Sequence, residues 1–120
     1  MNIETMKRVL VIDDDASHSK MLAGYLASRR YDVQTCDCIE HEDVLVDWRP
    51  QVLVLVPAAS HRHQDLQAVR RKHPRLPVVV FTPELGPDLL LDVEAFAPAL
   101  PVAASSDFAG LARTVAAALS

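Results

Sequence analysis

The sequence predicts an α/β fold in which a parallel β-sheet is covered by helices on both faces. Three observations support this prediction: short apolar, β-branched runs recur along the chain, stretches with helical periodicity separate them, and neither a repeat nor a low-complexity linker interrupts the alternation. Half of the 120 residues are apolar, which is enough for a packed core. We therefore expect one domain spanning residues 1–120.

The first strand and the first helix are predicted near the N-terminus. Residues 9–12 form an uninterrupted apolar run that three aspartates follow, and such a run is typical of a strand buried on both faces. Either Asp15 or Ser17 is expected to cap the helix that comes next. The apolar side chains at helical spacing in this segment are Met21, Leu22, Tyr25 and Leu26.

The remaining elements follow the same alternation. Strands are predicted over residues 31–36, 52–56 and 78–81, and a weaker one around residues 100–103. Helices are predicted over residues 40–48, from 66 to 73 and from 86 to 96. A last helix begins after Ser106 or Asp107, and its apolar face consists of Phe108, Leu111, Ala112, Val115 and Leu119.

Composition excludes several classes of function. The net charge of −4 and the pI of about 5.6 provide no basic field for nucleic acid or an anionic membrane. The longest apolar runs are far short of the roughly 20 residues that a membrane span needs, and no signal peptide is recognisable. The two cysteines, Cys36 and Cys38, lie too close together in the sequence for a disulfide that stabilises the fold. Since structural disulfides are typical of oxidising compartments, we expect a cytoplasmic protein.

In parallel α/β sheets, binding and chemistry take place beyond the carboxyl ends of the strands. The residues predicted there are Asp13, Asp14 and Asp15 after the first strand, Val56 at the end of the third, and Thr82 after the fourth. Val102 lies near the end of the fifth. Three adjacent acids are consistent with a cation site or with a favourable charge at a helix N-terminus.

Three segments carry a family resemblance. The sequences KRVLVIDDD at residues 7–15, PQVLVL at residues 50–55 and LPVVVFT at residues 76–82 resemble the receiver domain of two-component response regulators. The resemblance extends over residues 7–119 and implies a flavodoxin-like (βα)5 fold with a five-stranded parallel sheet. Members of that family accept a phosphoryl group from a histidine kinase on an aspartate at the end of the third strand, and thereby switch an output domain.

Matched residue by residue, the resemblance is incomplete. The acidic pair that holds Mg²⁺ in receivers falls on Asp13 and Asp14, and the switch hydroxyl falls on Thr82. The phosphoacceptor position, however, falls on Val56, and the lysine position falls on or beside Val102. Because valine has no nucleophilic atom, we interpret the chain as a degenerate receiver that is not an enzyme. No cofactor is expected, with weak Mg²⁺ binding at Asp13 and Asp14 left open.

The interpretation favours a regulatory module that acts through protein contacts or homodimerisation, independently of phosphorylation. We expect it to be the N-terminal regulatory part of a longer response regulator, such as a transcription factor, with a stand-alone adaptor as the other option. The resemblance places the contact surface on the fourth helix, the fifth strand and the fifth helix. Its candidate residues are Leu89, Leu91, Ala109, Arg113 and Ala117, although helix propensity alone also explains the alanines.

Two other functions stay open at this point. The pocket around Asp13, Val56, His61 and Thr82 could bind a small ligand, a nucleotide or a metal, but the chain has no glycine-rich phosphate loop. A metal-dependent hydrolase would have to use Asp13, Asp14 and His61, and it ranks last. Two further features, the loop at residues 61–63 and the basic run at residues 70–73, are more simply interpreted as solvated surface.

Overall fold

The computed structural model describes residues 6–37, 48–56, 71, 76–82, 99–103 and 108–119. Its strands form a parallel sheet in the order β2-β1-β3-β4-β5. The elements are β1 (Arg8–Asp13), α1 (Ala16–Ser28), β2 (Asp32–Cys36), β3 (Val52–Val56), β4 (Val78–Thr82), β5 (Ala99–Ala103) and α2 (Phe108–Leu119). The predicted parallel α/β sheet is thus confirmed. The helices predicted between residues 40 and 96 lie almost entirely outside the described residues.

The sheet is buried on both faces, as its uninterrupted apolar runs predict. On one face, side chains of β1, β3 and β4 pack with α1 and α2 into a cluster that includes Val11, Val54 and Phe81. On the other face, Leu10, Leu53 and Val80 are each at most 1% exposed. Removal of each such side chain from water stabilises the fold by roughly 1.5–3 kcal/mol. The central strands therefore form a rigid platform for the residues at their ends.

Helix α1 begins and ends with capping interactions. Asp15 is the N-cap, and its Oδ1 accepts a hydrogen bond from the backbone N–H of His18 at 3.1 Å. At the other end, the N–H of Arg30 is donated to the carbonyl of Ala27 and that of Tyr31 to the carbonyl of Leu26. This pair of bonds is the Schellman motif, which requires a left-handed residue after the helix, and Arg30 has a φ of 71°.

The buried face of α1 differs in part from the predicted one. Leu22 and Leu26 are fully buried, as expected, whereas Met21 is 59% exposed. Ser19 is buried in its stead, and His18 is largely buried. A helix turns by about 100° per residue, so positions 18, 22 and 26 share one face and Met21 falls at its border.

Helix α2 packs against β3, β4, β5 and α1. Leu111 and Val115 are fully buried, and Phe108 and Leu119 pack at the edge of the same cluster, as predicted. Gly110, which the pattern placed off the apolar face, is also buried. Among the described residues, neither helix is long and apolar enough to cross a bilayer.

Candidate functional site

The residues predicted at the strand ends come together where the strands of the sheet have their carboxyl ends, which is called the edge of the site below. Asp13 is the last residue of β1 and lies in register with Val56, the last residue of β3. Thr82 ends the adjacent strand β4, where it pairs with Ala103 of β5. Val102 pairs with Phe81, one residue before that edge. For Thr82 and Val102 only the backbone is described, and His61 lies outside the described residues.

Asp13 is a buried carboxylate whose two oxygens both have partners within the chain. Its side chain is 1% exposed. Oδ1 accepts a hydrogen bond from the backbone N–H of Asp15 at 3.0 Å. Oδ2 is hydrogen-bonded to Nδ1 of His18, and since an ionised carboxylate only accepts, Nδ1 carries the proton. Asp14, in contrast, is exposed.

His18 lies within an aromatic cluster beside this edge. Its ring stacks on Phe81 with centroids 6.1 Å apart and meets the ring of Phe108 at 6.3 Å in an edge-on arrangement. Phe108 also packs against Phe81 at 5.9 Å and against Tyr25 at 5.3 Å. Nε2 of His18 is buried and has no hydrogen-bond partner in the described part of the chain. The cluster fixes the imidazole in the position from which it reaches Asp13.

His18 was not among the residues predicted for this site. The signal was present, because His18 lies four residues before Leu22 and eight before Leu26, on the buried face of the same helix. An imidazole at such a position needs a polar partner. The nearest candidates by sequence were the aspartates at the end of β1.

Val56 lies beside Asp13 on the neighbouring strand. It is partly buried, and it packs against the same core cluster as Val11 and Val54. Because alternate residues of a strand share a face, Val56 continues the apolar row of β3 beside the row of β1 that ends in Asp13. Where β1 and β3 end side by side, the described residues thus place a carboxylate that is bonded within the chain next to an aliphatic side chain.

The described residues supply only part of the Mg²⁺ site of a receiver. Mg²⁺ requires oxygen ligands in near-octahedral geometry, usually one or two carboxylates together with water and phosphate oxygens. Each oxygen of Asp13 already takes part in one hydrogen bond within the chain, which competes with a metal ion, while Val56 has no oxygen to offer and Asp14 is exposed. Within the described ranges no three His, Cys, Asp or Glu side chains are grouped to hold a metal ion. Weak Mg²⁺ binding at Asp13 and Asp14 stays a prediction.

A second feature lies between the end of α1 and helix α2. We call it the arginine groove; its volume is about 310 Å³, and its walls are Arg29, Tyr31, Ala109, Ala112, Arg113 and Ala116. Arg29 is held in place there, since its Nη2 donates a hydrogen bond to the Tyr25 hydroxyl at 2.9 Å and its guanidinium lies 5.3 Å from the centre of that ring. Arg113 is exposed on α2.

Two predicted interface residues, Ala109 and Arg113, thus line one groove that faces α1. Ala117 is exposed on α2 but does not line this groove. Leu89 and Leu91 lie outside the described residues, as do the loop at residues 61–63 and most of the basic run at residues 70–73. Cys36 is buried at the end of β2, and Cys38 is also outside the described residues.

Comparison with known proteins identifies the fold. No family profile and no curated protein matches the sequence. Solved structures do match: chemotaxis protein CheY4 of Vibrio cholerae has a TM-score of 0.83 at 20% identity, over 96% of this chain and 100% of that one. The N-terminal domain of a response regulator/sensory box/GGDEF three-domain protein from Carboxydothermus hydrogenoformans has a TM-score of 0.75 at 24% identity, over 94% of each chain.

A third solved structure with this fold is a DNA-binding protein. A LuxR-family DNA-binding response regulator from Staphylococcus aureus has a TM-score of 0.78 at 13% identity, over 96% of this chain and 100% of that one. At such identities the likeness concerns the fold. The chain has the flavodoxin-like fold of response-regulator receiver domains.

Proposed function

We propose that this chain is a degenerate receiver domain that regulates a partner through protein contacts without being phosphorylated, and that it is not an enzyme. The observation that carries the proposal is the pair at the sheet edge: Val56 at the phosphoacceptor position lies in register with Asp13, whose carboxylate is bound to His18 and to the Asp15 amide.

The chemistry of phosphoryl transfer supports this proposal. An aspartyl phosphate requires a carboxylate nucleophile, a metal ion to neutralise the phosphoryl oxygens and a cation to balance the remaining charge. Val56 supplies no nucleophile, and the lysine position falls on or beside Val102, which is aliphatic. The hydrogen bond of Asp13 to His18 competes with a metal ion for the same carboxylate. Each of the three requirements is thus weakened or lost.

The arginine groove is the proposed contact surface. Two exposed guanidinium groups, Arg29 and Arg113, border a floor of alanines, which suits an acidic segment of a partner that places small or apolar side chains between the two charges. The similar structures include a domain from a three-domain protein and a DNA-binding response regulator. We therefore propose an output domain or a cytoplasmic protein partner, with control of transcription as one outcome and a second copy of this chain as the alternative occupant.

Treatment with a small phosphodonor tests the first half of the proposal. The chain is incubated with acetyl phosphate and Mg²⁺ beside an authentic receiver domain, and intact mass is measured. We expect a phosphorylated species only for the authentic receiver. An aspartyl adduct on this chain, recognised by its lability to hydroxylamine, would contradict the proposal.

A labelled acidic helical peptide rich in glutamate and alanine tests the second half. We expect fluorescence anisotropy to show saturable binding that Arg113→Glu abolishes and that the matched charge reversal Lys7→Glu, on an exposed residue outside the groove, leaves intact. Equal loss in both variants would show a general charge effect and reject the groove. Sedimentation velocity of the unlabelled chain across concentration then shows whether a second copy occupies the same surface.

A further inference from the structure

The amino ends of the strands β2, β1 and β3 carry a group of cations that we call the basic rim; its residues are Lys7, Arg8, Arg30 and Arg49. Lys7 and Arg8 lie at the start of β1, and Arg30 and Arg49 precede the two strands beside it. Neighbouring strands are about 4.8 Å apart, so the rim extends over roughly 10 Å. Asp32 is the one carboxylate that the described residues place there, in register with Arg8. The basic rim therefore has an excess of positive charge.

Hydrogen bonds hold the segments of the basic rim together. The backbone N–H of Asp32 donates to the carbonyl of Lys7, and that of Gln51 to the carbonyl of Arg8, both at 2.9 Å. The side-chain Oε1 of Gln51 accepts the backbone N–H of Arg8 at 3.0 Å. The Nε of Arg8 donates to the carbonyl of Arg49 at 2.8 Å, which fixes this guanidinium group and leaves its two terminal amino groups for other acceptors.

Two arginines of the basic rim have a backbone conformation that favours glycine. The φ angles are 71° for Arg30 and 55° for Arg49, and they are the two non-glycine residues with positive φ in the described part of the chain. Arg49 also precedes Pro50, a position at which extended backbone is preferred. Strained residues of this kind are often associated with function. Here both lie beside β1, at the two sides of the same rim.

A partly exposed aromatic residue adjoins each of these two arginines. Tyr31 follows Arg30, and Trp48 precedes Arg49. Cations next to aromatic rings are the combination that binds single-stranded nucleic acids, because the cations neutralise phosphates and the rings stack on unpaired bases. An acidic peptide would use the cations but not the rings. The described residues therefore favour a nucleic acid over an acidic protein segment at the basic rim.

The net charge of −4, from which no nucleic-acid partner is expected, does not describe the basic rim. The fold separates the charges, since the exposed residues Asp14, Asp15 and Asp37 lie beyond the carboxyl ends of β1 and β2. The six residues of β1 span roughly 17–20 Å. Exposed charges are largely screened beyond about 8 Å at physiological ionic strength. These carboxylates therefore weaken the positive field at the rim only slightly.

We propose that the basic rim binds a single-stranded nucleic acid, with its four cations contacting phosphodiester groups and Trp48 stacking on a base. RNA and DNA share this chemistry, and the experiment includes both. The inference goes beyond the proposed function, because it requires neither an acidic partner nor Arg113.

Fluorescence anisotropy tests the proposal with labelled oligouridine and oligothymidine of about ten nucleotides, a length within the range of such sites. We expect saturable binding of at least one of them. Because each neutralised phosphate of a single strand contributes about −0.7 to the slope of log K against log salt, four cations predict a slope of about −3. The absence of saturable binding of both oligonucleotides at low salt, or equally tight binding of a duplex of the same length, would overturn the proposal.

The emission of Trp48, the single tryptophan of the chain, distinguishes stacking from attraction between charges alone. We expect the unlabelled oligonucleotide that binds to change this emission. Inorganic polyphosphate and a glutamate-rich peptide, which have charge but no bases, should leave it unchanged. An oligonucleotide that binds without any change in Trp48 emission, or the same change with polyphosphate, would contradict the proposed site.

Charge-reversal variants locate the binding site. Loss of one phosphate contact lowers the affinity about fivefold near 0.1 M salt, so we expect Lys7→Glu and Arg49→Glu each to weaken oligonucleotide binding at least that much. Arg113→Glu, in the arginine groove, should leave it unchanged, whereas the acidic peptide should respond to Arg113→Glu and not to Lys7→Glu. The two proposals can therefore fail separately. Circular dichroism checks folding, and unchanged oligonucleotide binding in the folded Lys7→Glu and Arg49→Glu proteins refutes the basic rim.

Discussion

The imidazole of His18 and the carboxylate of Asp13 are joined by a side-chain hydrogen bond, which ties the first turn of α1 to the carboxyl end of β1. The carboxylate is almost completely buried, and the imidazole is 18% exposed between two phenylalanine rings. A buried carboxylate without such partners would be costly. The His18 imidazole thus stabilises the carboxylate of Asp13, which lies at the position where receivers have a metal ligand.

Replacement of His18 by phenylalanine should lower the free energy of unfolding by about 1–3 kcal/mol, because the ring space stays filled while the Oδ2 of Asp13 loses its donor. Urea denaturation measures the change. In a double-mutant cycle with Asp13→Asn, the two substitutions should show a coupling of about 1 kcal/mol or more. Simple additivity of the two effects would mean that the contact contributes little to stability.

Replacement of Val56 by aspartate should destabilise the protein more than the uncharged Val56→Asn. The two side chains at positions 13 and 56 lie on the same face of neighbouring strands, which are about 4.8 Å apart. A second carboxylate there meets like charge at low solvent exposure, so we expect Val56→Asp to be about 1–3 kcal/mol less stable than Val56→Asn.

Millimolar Mg²⁺ provides the second readout for this pair of variants. In Val56→Asp the new carboxylate joins those of Asp13 and Asp14. Mg²⁺ should therefore raise the melting temperature of Val56→Asp toward that of Val56→Asn, and it should leave the melting temperatures of Val56→Asn and the wild type unchanged. Equal stability of the aspartate and asparagine variants in the absence of Mg²⁺ would show that the carboxylate of Asp13 does not repel a charge at position 56.

Long apolar runs made the sheet predictable, since strands buried on both faces leave an unambiguous signature at residues 9–12, 52–56 and 78–81. The same strands brought Asp13, Val56 and Thr82 to one edge, as the parallel topology requires. The side-chain interactions at that edge were not predictable. The bond between His18 and Asp13 depends on the rotation of α1 about its axis, and a sequence pattern fixes that rotation only approximately, as the exposed Met21 shows.

The backbone conformation at the end of α1 was not predictable from the sequence. Arg29 and Arg30 follow the helix, where positive charge is favourable, and the Schellman motif places Arg30 in the left-handed region with a φ of 71°. Glycine is the usual residue at that position because it has no Cβ to clash. The sequence gives no glycine signal at residue 30, so the motif is visible only in the structure.

Replacement of Arg30 by glycine should therefore raise the free energy of unfolding by about 0.5–1 kcal/mol, since the relief of the left-handed strain exceeds the entropy that glycine adds to the unfolded chain. Arg30→Ala keeps a Cβ at the same φ and should give no such gain. Thermal and urea denaturation of both variants provide the comparison. A stabilised Arg30→Ala would attribute the effect to the loss of the arginine side chain and not to the backbone.

Gly24 offers the opposite case, a glycine where none is required. It lies in the exposed middle of α1, does not have a positive φ, and a Cβ built on it would meet nothing within 4 Å. Gly24→Ala should raise the free energy of unfolding by about 0.5–1 kcal/mol, because alanine restricts the unfolded chain and favours the helix. The reverse change at an exposed site of the same helix, Ala27→Gly, should lower it by a similar amount. Both values come from urea denaturation, and a destabilised Gly24→Ala would indicate that this face of α1 is packed against something that a methyl group disturbs.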